Sequence, residues 1–426
     1  MEVLHRCCAG LDVHKQTIAV CIRRLADHGK VASETRVFGS MTNHILALAD
    51  WLAAEGVTHV AMESTGVYWK PIWNLLEGRF ELLLCNAREI KQVPGRKTDV
   101  KDCQWLAQLL QYGLLKASFV PPRPLRELRD LTRQRVQLVN EHTSVANRIQ
   151  KVLEDANIKL SSVASDVLGT SGRAMIQALI AGEHDPHRLA DLAQRRLRDK
   201  IPQLVEALEG HVDEHHRFML GLHFEHLGHL EQMVSQLERR IDQVLQSPSL
   251  TASQAGDDAL PFPEAVALLV TIPGIDERSA KAILAETGTA MTRFPDAAHL
   301  ASWTGICSGN HESAGKRRSG RIAHGNRWLR RALTQAAWAA SHTKQTYLSA
   351  HFRRLAGRRG KKRALVALAH TLLVIIYYML KEHRGYEDLG PDYLDRLHPE
   401  RLAKGLVRRL ERLGYAVELT AAPEAA

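Results

Sequence analysis

The stretch CCAGLDVHKQTIAVCIRR (7–24) decides how the first part of the chain folds. CCAGLD is a short apolar run ending on an acid, and TIAVCIRR follows after a turn around His14–Gln16. Both are rich in strand-favouring residues, so they predict two neighbouring strands. KVASETRVFG (30–39) predicts a third. Further on, MTNHILALADWLAAEG (41–56) has apolar residues at helical spacing and stops at Gly56. VTHVAMES (57–64) predicts a fourth strand, YWKPIWNLLEG (68–78) a helix and RFELLLCN (79–86) a fifth strand. Three strands followed by strand–helix alternation predict an α/β mixed sheet with helices on its faces.

Two strands of this set end on acids, Asp12 and Glu63. A further pair, Asp99 and Asp102, sits three residues apart in GRKTDVKDCQWLAQLL (95–110), at the start of an expected helix. Residues at i and i+3 share a helix face. Taken alone, Asp99 can cap that helix and Asp102 can be a first-turn acid facing the positive end of the dipole. Asp12 and Glu63 tilt the balance, because strands are depleted in acids and a strand end is a common place for a catalytic group. Four carboxylates so placed predict hard oxygen donors for Mg²⁺, the ion of phosphoryl-transfer sites.

The chain has 426 residues, 45% of them apolar and 24% charged, as expected of a folded protein of two or three domains. Its formal charge of +10 points to a polyanionic partner, and the clustering of its cations favours nucleic acid over a membrane. With 5% aromatic residues, phosphate contacts are expected to outweigh base stacking. Six cysteines without a CxxC motif, and a start (MEVLHRCCAG) with no signal-peptide core, point to a reducing cytosolic compartment. ALVALAHTLLVIIYYML (364–380) is short for a membrane span and holds His370, so it predicts a buried core helix.

Residues 1–120 form the expected α/β domain. Residues 121–250 predict long helical arms, since RELRDLTRQRVQLVNEHTSVANRIQKVLED and HLGHLEQMVSQLERRIDQVLQ carry apolar residues at helical spacing among mixed charges. The two stretches can pair as an antiparallel coiled coil. Residues 251–262 read as a linker, 263–390 as an all-α C-terminal domain, and 391–426 as an extension with a disordered tail. Between the arms stand His211, His215, His216, His223, His226 and His229, and HVDEH spells H-x-x-E-H. In a chain with 22 histidines, chance explains this better than zinc.

In the C-terminal part, Pro273-Gly274-Ile275 makes a tight turn between two helical patterns, similar to a helix-hairpin-helix whose turn N–H groups meet a phosphate. An ordinary corner inside a core explains the same turn. Next, SWTGICSGNHESAGKRRSGRIAHGNRWLRRAL packs seven cations (Lys316, Arg317, Arg318, Arg321, Arg327, Arg330, Arg331) and a single acid, Glu312, between Ser308 and Arg331. Cations hold phosphates, and glycines let a backbone approach a ligand closely. A solvated basic loop leaves the threaded glycines and serines unexplained. Ser313 and Ser319 are the hydroxyls among these charges, each a poor nucleophile until its proton is removed or its target polarised. Arg353 to Arg363 forms a second run of seven cations without an acid, expected to face a phosphate backbone.

Taken together, GLDVHK, MESTGVYW and GRKTDVKDC in the first half, and TIPGI, LASWTGICSGNHESAGKRRSGR and GNRWLRRAL in the second, resemble the transposases of the insertion-sequence-110 family over about residues 7 to 390. The resemblance implies an RNase H fold of RuvC-like type for the first domain, with Asp12, Glu63, Asp99 and Asp102 as its metal-binding acids. It implies a DNA-attacking serine in the second transposase domain, matched here by Ser313. This chain reads Ser-Ala-Gly-Lys where the plainer form is Ser-Gly, which keeps Ser319 as an alternative. It also implies DNA (element ends and target) as substrate, a structured guide RNA, and arms that join protomers into a dimer or tetramer in the bacterial cytosol, at the nucleoid. Lys316, Arg317, Arg318, Arg321, Arg327, Arg330 and the Gly274 turn are then the expected nucleic-acid contacts. Two other readings stand beside the recombinase: a metal-dependent, junction-resolving endonuclease, and a non-catalytic nucleic-acid-binding protein.

Overall fold

The computed structural model describes residues 2–420 apart from 27–28, 65, 87–89, 91–101, 254–258, 308–310, 314–315, 320–321, 323–324 and 398. Residues Met1–Pro121 form one compact unit and Pro122–Ala426 another.

The first unit is built on a five-stranded sheet of β1 (Cys7–Val13), β2 (Thr17–Leu25), β3 (Val31–Gly39), β4 (His59–Glu63) and β5 (Glu81–Cys85), in the order β3-β2-β1-β4-β5. β1, β2 and β3 form an antiparallel meander, while β4 and β5 add in parallel beside β1. The mixed α/β expectation is met, and its helices α1 (Thr42–Ala54) and α2 (Trp69–Leu76) lie where the periodicity put them. Side chains alternate across a strand. Ala9, Leu11 and Val13 of β1, with Val60 and Met62 of β4, therefore turn to one face, where they pack on Ile45, Leu48 and Leu52 of α1 and Ile72 and Leu76 of α2. Each fully buried Val, Leu, Ile or Met side chain among these is worth roughly 1.5–3 kcal/mol. Cys8, Gly10 and Asp12 turn to the other face, covered by α3 (Asp102–Gln111).

The second unit opens with α4 (Arg123–Asp155), a single long helix as expected. Residues 156–213, which the sequence reading left without elements, fold into short helices, among them α5 (Thr170–Ile180) and α6 (Ile201–Leu208). α7 (Glu214–Leu245) then returns along α4. Arg135 bonds Glu238 at 2.7 Å, His142 meets Glu231 at 3.0 Å and Asp155 meets His216 at 3.3 Å, so the pair is antiparallel. Met175, Ile176 and Leu179 of α5 and Leu204 and Leu208 of α6 pack against Val145, Ile149 and Leu153 of α4, giving the arm its own core. α7 begins twelve residues before HLGHLEQ because Asp213 and His216 make a reciprocal capping box. That cap splits the HVDEH pattern: His211 precedes the helix and His215 lies in its first turn.

The remaining core gathers α8 (Phe262–Val270), α9 (Glu277–Thr287), α10 (Ala297–Thr304), α11 (Arg327–His342), α12 (Tyr347–Arg359) and α13 (Lys361–Glu382). Among the described residues α13 alone is long and apolar enough to cross a membrane. Leu368, Leu372, Leu373, Ile376, Tyr377 and Leu380 are buried at its inner face, so the core accounts for this composition. After α13 comes α14 (Pro399–Glu411). Of the expected tail TAAPEAA (420–426), residues 421–426 lie outside the described residues.

Candidate nucleic-acid processing site

Leu11 of β1 pairs with Met62 of β4 in the parallel ladder, so Asp12 and Glu63 are the next residues of two neighbouring strands and turn to the same face. α3 lies on that face. It is fixed there by Gln104, whose Nε2 donates to Thr35 Oγ1 of β3 at 3.2 Å, and by Arg23 Nε of β2, which donates to Gln111 Oε1 at 2.9 Å. Gly10 makes the close approach practicable: a Cβ there would run into the backbone N of Ala107 and the carbonyl of Cys103. Asp102 is the first residue of α3 and exposed, while Asp12 is 26% exposed and Glu63 half-buried. Burial first, then the nearby Cys21 and the Asp12 carboxylate, push the Cys103 thiol up to about 11. Asp12 Oδ2 also lies 3.2 Å from His14 Nε2.

Asp12 and Glu63 therefore stand at the same end of two neighbouring strands, Asp102 opens the helix packed on that face, and Asp99 lies outside the described residues. Among the described residues no three His, Cys, Asp or Glu side chains are close enough to form a metal-binding group. The donor chemistry is nonetheless that of a hard cation, since each of the three acids is a carboxylate.

The basic glycine-rich segment, expected as a loop, contains a two-stranded antiparallel hairpin, β6 (His311–Ser313) with β7 (Lys316–Ser319). Ser313 pairs with Lys316 at the turn end, Glu312 with Arg317, and His311 with Ser319 at the base. Ser313 is thus the last strand residue before a two-residue connection, and Ser319 stands at the far end of the ladder. Arg321 lies outside the described residues.

The hairpin leaves and re-enters the core through a narrow neck. α10 ends on Gly305, in the left-handed region at φ 72°. Gly325 sits against Thr304 and Gly305 so closely that a Cβ would strike their backbone. Asn326 then caps α11 by accepting from the N–H groups of Trp328 and Leu329. Its side-chain amide donates to Glu286 Oε2 at 2.7 Å. Glu286, 2% exposed, also receives Arg133 of α4, while Arg129 donates to the carbonyl of Ala285 at 2.9 Å and to that of Glu286. Burial first, then neighbouring cations, pull Arg129 down to about 10 against the pull of Glu286. The sequence reading missed Gly10, Glu286 and Asn326. A glycine inside a β-rich run and an Asn just before RWLRRAL were the available signals; nothing local marked Glu286.

Of the other expected contacts, Arg327 is exposed and its guanidinium lies 4.8 Å from the Trp328 ring centre. Arg330 is half-buried, and Arg331 donates to Asn140 Oδ1 at 2.8 Å. Gly274 adopts φ 93° in the turn between α8 and α9, and a Cβ there would meet the backbone of Ala336 and Ala340. Its requirement for glycine comes both from this left-handed backbone and from packing on α11.

Comparison with known proteins defines the class. A family model for a DEDD-type transposase of IS110 elements matches residues 9–158, and one described as "Transposase IS116/IS110/IS902 family" matches residues 266–353. The chain is also 26% identical over 313 residues to the "Insertion element IS110 uncharacterized 43.6 kDa protein" of Streptomyces coelicolor, covering 70% of this chain and 74% of that relative. The first match runs through α4, the second begins beyond α7, and together they span more than half of the sequence. The chain belongs to the IS110 family of transposases. DNA transposition is its general activity, and DNA its substrate.

Proposed function

We propose that this transposase cuts and rejoins DNA through Ser313, assisted by Asp12, Glu63, Asp99 and Asp102. The observation that carries the reading is that Asp12 and Glu63 end two neighbouring strands on the face that α3 covers, in a chain that also offers a serine at the turn of a basic hairpin. An antiparallel three-strand meander continued by two parallel strands supports an RNase H-like, RuvC-type first domain. The acids are the donor type that Mg²⁺ takes, and Asp12 would exchange its His14 contact on binding it. When bound, such an ion neutralises charge on a transferring phosphoryl group.

In this scheme Ser313 Oγ attacks the phosphorus of a DNA phosphodiester. The Oγ–P bond forms, the bond from phosphorus to the leaving DNA oxygen breaks, and that oxygen takes up a proton as the serine loses one. The freed hydroxyl end then attacks the phosphoserine held on the other DNA, which restores the serine and exchanges strands without net hydrolysis. Lys316, Arg317, Arg318, Arg321, Arg327 and Arg330 hold phosphates near the reacting strand. Family resemblance adds base pairing to a structured RNA from the element as the means of target choice, and assembly of at least two copies, since exchange uses two serines.

The test uses purified protein, Mg²⁺, labelled DNA spanning the element junction, and RNA from the element's flank. An SDS-resistant protein–DNA band is expected from the wild type, absent with Ser313→Ala and reduced with Asp102→Ala. Asp12, Glu63, Asp99 and Asp102 all belong to the first unit and Ser313 to the second, which favours metal-dependent hydrolysis as the second reading. Cleavage without a band, retained in Ser313→Ala, would select it.

A further inference from the structure

α11 carries Trp328, Arg331, Gln335, Trp338 and His342 at spacings of three, four, three and four residues, which is one helix face. The opposite face, with Leu329, Leu333, Ala336 and Ala340, is buried in the core. On the outer face Trp338 is 54% exposed, an unusual setting for so large an apolar ring, and Gln335 and His342 are exposed beside it. The two indoles lie about 15 Å apart along the helix axis. No acidic residue occurs anywhere in α11.

The outer end of this face is polar and cationic. The His342 ring stands against Trp338, with 4.4 Å between ring centres. His342 Nδ1 donates to the Trp338 carbonyl at 2.8 Å, which leaves Nε2 for an outside partner. Immediately beyond lies a cavity of about 430 Å³ lined by His342, Lys344, Gln345, Ser349 and Arg353, with no acid in its wall.

We propose that this face of α11 is a binding track for unpaired nucleotides. Trp338 stacks a base, Gln335 offers its amide to the base edge, and the cavity between His342 and Arg353 takes the adjoining phosphate. At the outer end of the face an exposed indole between an amide and an imidazole, with Lys344 and Arg353 beyond and no acid in the cavity wall, matches a nucleobase joined to phosphate. The core of a protein interface would instead be depleted of charge. The inference requires only that the chain hold nucleic acid, and is independent of the serine chemistry.

The experiment measures binding of full-length protein, in EDTA, to a short labelled DNA strand, an RNA strand of the same sequence and the corresponding DNA duplex, for wild type, Trp338→Ala and Trp338→Phe. Trp338→Ala is expected to weaken single-strand binding roughly 5- to 100-fold, with duplex binding little changed and Trp338→Phe near wild type. Base stacking should also quench tryptophan fluorescence in the wild type, and less in Trp338→Ala. The single strand that suffers the larger loss identifies DNA or RNA as the source of the nucleotides. Unchanged single-strand affinity in Trp338→Ala, or an equal loss on duplex, overturns the proposal. So does a shift in oligomeric mass by sedimentation with single-strand affinity intact, which would make Trp338 a contact between copies. Binding in EDTA involves no strand-exchange chemistry, so a failure of that chemistry leaves the outcome of this assay unaffected.

Discussion

Arg133 clasps Glu286 with two parallel bonds, Nε to Oε1 and Nη2 to Oε2, both at 2.7 Å. The pair joins the root of the arm to the neck of the serine hairpin, because the same carboxylate also receives the Asn326 amide. Removing one partner of a desolvated pair leaves the other charge uncompensated, at a cost of about 3–5 kcal/mol. Glu286→Ala is therefore expected to lower the unfolding free energy by that order in urea melts, and Glu286→Gln by clearly less, since an amide keeps one acceptor for Arg133. Equal melts for wild type and Glu286→Ala would remove the clasp from the list of stabilising contacts.

Gly10 is the seat on which α3 rests. A methyl group there meets backbone rather than a movable side chain, so relief requires the helix to shift. Gly10→Ala should cost roughly 1–3 kcal/mol. Because the helix carries Asp102, the variant should lose DNA cleavage even at temperatures where it stays folded. A variant as active and as stable as wild type would contradict the close packing.

The thiols beneath α3 should be chemically silent. Burial pushes Cys8 up to about 12 and Cys103 up to about 11, so almost no thiolate exists near neutral pH. Cys8, Cys21, Cys85 and Cys103 are all buried. Iodoacetamide at mildly alkaline pH is expected to leave these four unmodified in the native protein and to label them once urea is added, as read by peptide mass spectrometry. Fast labelling of native Cys103 would show that α3 lifts from the sheet.

The arm should weaken in acid. Burial alone would push the Glu231 carboxyl up, but bonds from His142 and Arg173 hold it below its usual 4.5. A carboxylate whose folded value is depressed adds stability that is complete above its unfolded value and disappears as pH falls through the folded one. Glu231→Gln should thus melt below wild type at neutral pH, and the gap should close as pH drops below about 4.5. A gap independent of pH would assign the loss to packing.

Much of this architecture can be read from local pattern. β1 and β2 announce themselves through apolar runs such as TIAVCIRR, and α4 through thirty-three residues of unbroken helical spacing. Asp12 and Glu63 were legible as strand-end acids because each closes such a run. Their adjacency was not, since it depends on β4 crossing to lie beside β1. Glu286 was invisible for the same reason: Arg133 is 153 residues away in sequence. The hairpin at 311–319 was hidden by glycines and charges that blur strand alternation. The short helices between 156 and 213 were hidden because each is too brief to establish a period and depends on α4 and α7 for burial.

The antiparallel course of α4 and α7 turns the arm into a ruler. Chain enters at Arg123 and returns at Leu245 on the same end, so the helices between 156 and 213 are carried at the other. Adding one heptad to each helix would move that head outward by about 10 Å while keeping the seam in phase. Reach is therefore a property that insertions or deletions of whole heptads can lengthen or shorten in steps, leaving the segments before α4 and after α7 untouched.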